Sequence, residues 1–364
     1  MRVQQVIMPV TGSESWTVVG DDGAVLEPAE RYLAYLAALE RSPNTVRAYA
    51  VSLKLWFEFL DQVGLGWAEV GVEDVARFVA WLRAPAENVI VLETGTGRRA
   101  PATVNRHLAG VFGFYDHHAR AGVGVAADLV AWRRVSRGSY KPFLHHVTKG
   151  RPIPTRPVKL IVTRRAPRVL SAEQVVAVLA GCENLRDRFL LALLAETGMR
   201  VGQALGLRHG DFVSRDRQVR IVARPDNANG ARAKLREAAT IPVSTPLVRL
   251  YSEYMHVEYG ELDSDYVFVN LWRGRIGQPL CYPTVHQLIA RIAARTGVEF
   301  TAHMLRHTHA TDLIRRGVPI EVVARLLTHR SSTTTSQTYI HLDATDIREA
   351  LTRAGVWDIA EAAR

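Results

Sequence analysis

Thr301-Ala-His303-Met-Leu-Arg306-His-Thr-His-Ala-Thr-Asp-Leu313 is the stretch on which the reading of this chain turns. His303 and Arg306 are three positions apart, so on a helix they share a face and converge on one point. Such a pair suits an anion: the guanidinium forks onto two oxygens, and the imidazole moves a proton. His307 and His309 point elsewhere on the helix and read as packing or surface residues. No HExxH arrangement or carboxylate cluster accompanies them, so metal-assisted hydrolysis is unsupported and no metal or other cofactor is expected.

Two more segments set cations and polar groups against apolar sequence. In Glu196-Thr-Gly-Met-Arg200-Val-Gly-Gln-Ala-Leu-Gly-Leu-Arg-His-Gly-Asp-Phe212, Gly198 ends a nearly all-apolar helix over Arg188–Thr197, and Arg200 follows at once. In Leu326-Leu-Thr-His329-Arg-Ser-Ser-Thr-Thr-Thr-Ser-Gln-Thr-Tyr339-Ile-His341, an apolar helix leads to a histidine, a Ser/Thr-rich turn and a tyrosine ten residues on. Ser171-Ala-Glu-Gln174 is a capping box that opens a helix with Val175, Val178 and Leu179 inward. Val219–Val222 and Ala239–Val243 read as strands joined by a long polar loop, and helices are expected at 246–259, 283–296, 303–316, 319–327 and 346–356. This half, from 169 to 364, is therefore mainly helical with one small antiparallel sheet, an α+β domain.

The first half is helical throughout. Tyr32, Leu33, Leu36 and Leu39 share one face; Asn44 or Thr45 caps a second helix that buries Val46, Tyr49, Leu53, Phe57 and Leu60. A third over Val72–Leu82 turns Val75, Phe78, Val79 and Leu82 inward, and a fourth carries Val104, Leu108, Val111, Phe112 and Tyr115. Four helices with short connections make a small bundle over 26–120, preceded by an extension of 25 residues.

Charge divides the chain at the same place. There are 46 Lys+Arg against 36 Asp+Glu in 364 residues, a formal net charge of +10. Eleven of the basic residues and no acid lie between Arg133 and Arg168, and without them 35 basic residues face 36 acidic ones. Pro142, Pro152, Pro154, Pro157 and Pro167 fall in the same stretch, so 121–168 reads as an extended basic connector suited to a phosphate backbone. Arg133, Arg134, Arg137 and Lys141 are its expected contacts, with Thr45, Arg47, Thr103, Asn105 and Arg106 from the bundle. Cys182 and Cys281 have no metal-ligand or disulfide spacing, and no signal peptide or membrane span is legible. The expected location is the cytoplasm, on the nucleoid when DNA is bound.

In sequence order, Arg200, Lys234, His303, Arg306, His329 and Tyr339 resemble the active-site set of the tyrosine recombinases, or phage-type integrases. The surrounding words agree: Thr-Gly-Met-Arg, His-Met-Leu-Arg-His-Thr-His-Ala-Thr, and Leu-Leu-Thr-His…Tyr-Ile-His. Lys234 lies eight residues before Pro242 of Thr-Ile-Pro-Val and is the only lysine between Arg200 and Tyr339. The likeness is strong over about 169–350; Ser42-Pro-Asn-Thr-Val-Arg-Ala-Tyr49 extends it to the family's SAM-like core-binding domain. Two features depart from the pattern. The loop from Arg224 to Lys234 is longer than the usual tight turn, and Gln203 stands where the family has an acid supporting the active-site arginine.

The resemblance implies attack by Tyr339 on a DNA phosphodiester, giving a covalent 3′-phosphotyrosine and a free 5′-hydroxyl. Arg200, Arg306 and His329 would hold the phosphate, Lys234 would protonate the departing oxygen, and His303 would handle the tyrosine proton. It also implies double-stranded DNA with paired recombination sites, a clamp of two domains, and a synaptic homotetramer docked through the C-terminal helix with Ile347, Leu351 and Val356. Participation of an accessory protein is left open, and a role in integration, excision or transposition of a mobile element is expected. The rival readings are a type IB topoisomerase and a DNA-binding relative without catalysis.

Overall fold

The computed structural model describes residues 1–7, 14–84, 99–124, 129, 131–133, 153–155, 158–163, 167–233 and 238–328, with 131–133 and 153–155 described by backbone alone. They fall into two compact units, Met1–Arg164 and Arg165–Arg364. Among the described residues no helix is long and apolar enough to cross a membrane.

In the first unit four helices form the bundle: α1 (Glu27–Ala38), α2 (Pro43–Val63), α3 (Val72–Arg83) and α4 (Pro101–Arg120). Pro28, Pro43 and Pro101 stand in the first turns, where a missing N–H is not needed and a fixed φ helps. Ser42, not Asn44 or Thr45, caps α2, its hydroxyl accepting from Thr45 N at 3.3 Å. The apolar faces meet around Trp56, which is fully buried with Leu53, Leu60, Phe78, Leu82, Val104 and Val111. Its indole N–H donates to Tyr115 Oη at 3.1 Å and Tyr115 Oη to the Trp67 carbonyl at 2.8 Å, so the bulkiest core residues carry no unpaired polar group.

The N-terminal extension is a correction to the sequence reading, which gave it no structure. It forms a hairpin of β1 (Arg2–Ile7) and β2 (Glu14–Val19), registered from Arg2↔Val19 to Ile7↔Glu14, with Val18 buried on the bundle. Part of the expected connector is also structured. The backbones of β3 (Ala131–Arg133) and β4 (Ile153–Thr155) pair antiparallel. Beyond them Val158 and Leu160 pack on the bundle.

The second unit is built on α6 (Leu185–Thr197), whose Phe189, Leu190, Leu191, Leu193 and Leu194 are all buried. Before it, α5 (Ala172–Ala180) opens on the expected box: Ser171 Oγ accepts from Gln174 N at 3.2 Å, and Gln174 Oε1 from Ser171 N at 2.9 Å. After it come α7 (Val201–Leu205), a sheet of order β5 (Phe212–Val213), β6 (Gln218–Ile221) and β7 (Ala239–Pro242), and α8 (Thr245–Tyr254), extended by one wider turn over Met255–Tyr259. Helices α9 (Tyr282–Thr296), α10 (Ala302–Arg315) and α11 (Ile320–Leu326) complete it, with α8 and α10 packed against α6. The helix expected at 346–356 lies outside the described residues.

Candidate active site

The site begins where α6 stops. Gly198 ends the helix at φ 61, a conformation that favours glycine, and a Cβ there would stand 2.7 Å from His309 and 2.8 Å from Leu327. The chain therefore turns back tightly against α10 and the end of α11. Into this corner α10 sends Arg306, only 1% exposed. Its guanidinium donates through Nη1 to the Gly198 carbonyl and through Nη2 to the Leu327 carbonyl, both at 2.6 Å. One side chain thus staples together segments 108 and 21 residues away from it.

Arg200 is the N-cap of α7 and half-buried. Its main-chain N–H donates to Gln203 Oε1 at 2.7 Å, and its Nη1 donates to Thr328 Oγ1 at 3.2 Å. Gln203 Nε2 donates to the same hydroxyl at 3.1 Å. Gln203, departing from the acid of the family pattern, is itself buried at 2% exposure, with both ends of its amide bonded.

His303 lies on the outer part of the same helix face as Arg306, its ring edge-on to His307 with centroids 4.2 Å apart. Partial burial of the ring, then the guanidiniums of Arg306 and Arg200, hold its pKa below the usual 6.5. The residue as a whole is exposed, so the two charges matter beside desolvation. Both arginines thus lie close enough to this imidazole for their charges to be felt there. Burial, His303 and Arg306 push His307 down to about 4. His309, packed on Gly198, is also near 4, chiefly through burial.

His329 and Tyr339 lie outside the described residues, as does Lys234. The approaches to two of them are well placed. Thr328, bonded to Arg200, immediately precedes His329. The β6–β7 connection is long, as the sequence indicates, but its first part is pinned. Arg224 forks onto Asp211 at 2.7 and 2.8 Å, and the Ala228 N–H donates to Tyr266 Oη at 2.8 Å. Asn229 Nδ2 donates to the Leu205 and Leu280 carbonyls at 3.0 and 2.7 Å. Just beyond, the Arg232 carbonyl comes so near α7 that a Cβ on Gly202 would lie 2.9 Å from it. The chain entering Lys234 therefore runs beside the helix that Arg200 caps.

The expected DNA contacts are scattered over the first unit. Arg106 is exposed and Thr103 half-buried in the first turn of α4. Arg47 is exposed with its guanidinium 4.8 Å over the Trp16 ring, and Thr45 Oγ1 lies 2.8 Å from Ser42 Oγ. Asn105 donates through its amide to the Leu160 carbonyl and accepts from the Leu160 N–H, both at 2.8 Å, as a neighbouring strand would. Arg133 ends β3, its side chain outside the described set together with Arg134, Arg137 and Lys141. Among the described residues no three His, Cys, Asp or Glu side chains are grouped to hold a metal ion.

The chain is thus a helical bundle followed by a helix-rich unit in which two arginines and a histidine lie near one another. Residues 168–346 match the model of the phage integrase family, and residues 29–122 match that of the phage integrase N-terminal SAM-like domain. Transposase A from transposon Tn554 of Staphylococcus aureus is 39% identical over 350 residues, 96% of each chain. The chain belongs to the phage integrase family, and is a tyrosine-type recombinase. Tyrosine recombinase XerD of Mycobacterium tuberculosis is 28% identical over 335 residues, 87% of this chain and 94% of its own. In fold the chain is similar to the Tn1549 transposon integrase in complex with a circular intermediate DNA (TM-score 0.61, 13% identity, 90% and 99% coverage). It is likewise similar to a lambda integrase dimer bound to a core site (TM-score 0.57, 16% identity, 87% and 97% coverage).

Sequence reasoning singled out Arg200, His303 and Arg306 by type and spacing. Thr328, Asn229 and the Arg224–Asp211 pair were missed. The Asn-Ala-Asn-Gly run at 227–230 carries turn chemistry that points to an ordered loop, whereas nothing in Leu-Leu-Thr-His marks the threonine.

Proposed function

We propose that the chain is a site-specific recombinase of a mobile element, binding double-stranded DNA at paired sites and exchanging strands through a 3′-phosphotyrosine. The observation that carries this reading is the convergence of Arg200, Arg306 and His303 at the corner where the chain leads into His329. The phosphoryl transition state gathers negative charge on its non-bridging oxygens, which two guanidiniums held in place stabilise without reorganising. Tyr339 Oη bonds to phosphorus as the bond to the 5′-oxygen breaks. Neutral at pH 7, His303 accepts the tyrosine proton; Lys234 supplies one to the leaving oxygen, and His329 adds a hydrogen bond to the phosphate. The phosphotyrosine keeps the bond available, so a second 5′-hydroxyl reverses the step on another strand.

The basic connector, including Arg133, Arg134, Arg137 and Lys141, follows the DNA backbone, and Arg47 and Arg106 of the bundle add contacts. Solved neighbours of this fold bound to DNA support that partner, and the Tn554 transposase supports the mobile-element setting. Four copies, joined through the C-terminal segment beyond Tyr339, form the synaptic complex.

The test starts by sequencing the DNA to which the wild-type chain becomes covalently attached on genomic DNA. A nicked duplex carrying that sequence then serves as a suicide substrate. Tyr339→Phe forms no covalent adduct on it; an adduct that persists overturns the assignment.

A further inference from the structure

Thr328 has a backbone φ of 53. Besides it, Glu40 and Arg217 are the non-glycine residues with positive φ among those described, and neither is β-branched. A β-branched residue rarely adopts this conformation, and such strain persists where the surroundings fix it and something is gained. What is gained at Thr328 is a pair of hydrogen bonds. Its hydroxyl accepts from Arg200 Nη1 at 3.2 Å and from Gln203 Nε2 at 3.1 Å.

Those bonds close a ring. Gln203 Oε1 accepts the main-chain N–H of Arg200 at 2.7 Å, which sets the amide with oxygen toward Arg200 and nitrogen toward Thr328. Arg200 is thereby held at both ends, at its backbone by Gln203 and at its guanidinium by Thr328. The residue before the threonine completes the arrangement, since the Leu327 carbonyl takes Arg306 Nη2 at 2.6 Å. One backbone kink thus presents two neighbouring acceptors, a carbonyl to one arginine and a hydroxyl to the other.

We propose that Thr328 is a positioning residue for strand transfer: through its hydroxyl, and with Gln203, it fixes the Arg200 guanidinium where the scissile phosphate is held. The inference rests on the reading of Arg200 as a phosphate clamp. Orientation of the cation is what the threonine contributes. Its kinetic signature is a loss in the rate of the bound complex with little change in DNA affinity.

The experiment uses the full chain as wild type and as Thr328→Ser, Thr328→Val and Thr328→Gly, on the nicked duplex described above. Serine keeps the hydroxyl; valine keeps the branched shape without it. Glycine removes the hydroxyl but also relieves the backbone strain. Adduct formation at saturating DNA is expected within about 3-fold of wild type for serine and about 10- to 100-fold slower for valine and glycine, with Kd moving less than about 2-fold. The glycine variant is expected to melt no lower than wild type, so its slowness is not a loss of fold. Glycine reacting as fast as wild type overturns the proposal, as does serine reacting as slowly as valine.

A second reading needs no DNA. In 15N-labelled protein the Arg200 side-chain Nε–H signal is expected to be sharp in wild type and serine, and exchange-broadened in valine and glycine. An unchanged signal in the glycine variant also overturns the proposal. If the signal depends on Thr328 while wild type forms no adduct, the positioning stands and the recombinase reaction is what fails.

Discussion

Arg306→Ala is expected to unfold the second unit at a markedly lower temperature, and not merely to inactivate it. The side chain is 1% exposed, and its two nitrogens donate to the Gly198 and Leu327 carbonyls at 2.6 Å each. Truncation leaves both buried acceptors without these donors, at about 1–3 kcal/mol apiece. The cavity left by the largest side chain in this corner adds to that loss, while release of a buried cation from its desolvation offsets part of it. The net expectation is about 3–5 kcal/mol, close to what breaking a buried charged pair costs. For a unit of this size about 1 kcal/mol moves the melting temperature by roughly 2–4 °C, so the shift is about 6–20 °C.

Calorimetry on the full chain reads this directly, because the transition of the first unit serves as an internal reference. Arg200→Ala is the control: half-buried and bonded to a hydroxyl, it is expected to cost only about 1 kcal/mol. Arg306→Lys is not expected to rescue, since one ammonium does not reproduce a planar fork onto two carbonyls. An Arg306→Ala protein melting within about 2 °C of wild type refutes the structural role assigned to this arginine.

Two further outcomes follow from the geometry. His307 and His309, each held near pKa 4 chiefly by burial, stay neutral in the folded second unit while their unfolded counterparts titrate near 6.5. The unfolded chain then binds more protons between those values, so stability is lost as pH falls from about 6.5 toward 4. Melting curves across that range check this, and a second unit equally stable at both ends contradicts it. Asn229→Ala frees the Leu205 and Leu280 carbonyls from the loop that leads to Lys234. The cost is about 1–3 kcal/mol, and adduct formation should fall more than DNA affinity. Unaltered hydrogen exchange over 227–233 in the variant rules that anchor out.

The fold was legible wherever burial imposes a period. Leu53, Phe57 and Leu60 announce α2, and the apolar run Phe189–Leu194 announces a helix buried on most sides. The hairpin escaped notice because Arg-Val-Gln-Gln-Val-Ile leaves most of β1 exposed, so strict alternation is absent. Within the site, side-chain identities were legible and their partners were not. Arg306 is held by main-chain carbonyls, which every residue has and no residue type betrays. Thr328 depends on a φ value that threonine predicts against. Asn105, expected among the DNA contacts, also bonds a backbone 55 residues away, which its residue type does not announce.

Arginines of the second unit are oriented by partners of more than one kind. Arg224 forks onto Asp211 and Arg186 onto Asp187, so each of those guanidiniums is set beside a carboxylate that offsets its charge. Among the bonds that orient Arg200 and Arg306 are ones to a hydroxyl and to two carbonyls. A neutral dipole aims a guanidinium without cancelling it. At an effective dielectric near 20, a unit charge 4 Å from a phosphate oxygen is worth about 4 kcal/mol. A carboxylate at the same range works against it by a comparable amount. Gln203 fits this logic: where the family places an acid, the amide supplies the same acceptor to the Arg200 N–H and adds a donor toward Thr328. The position keeps its orienting bonds and adds no negative charge of its own beside Arg200.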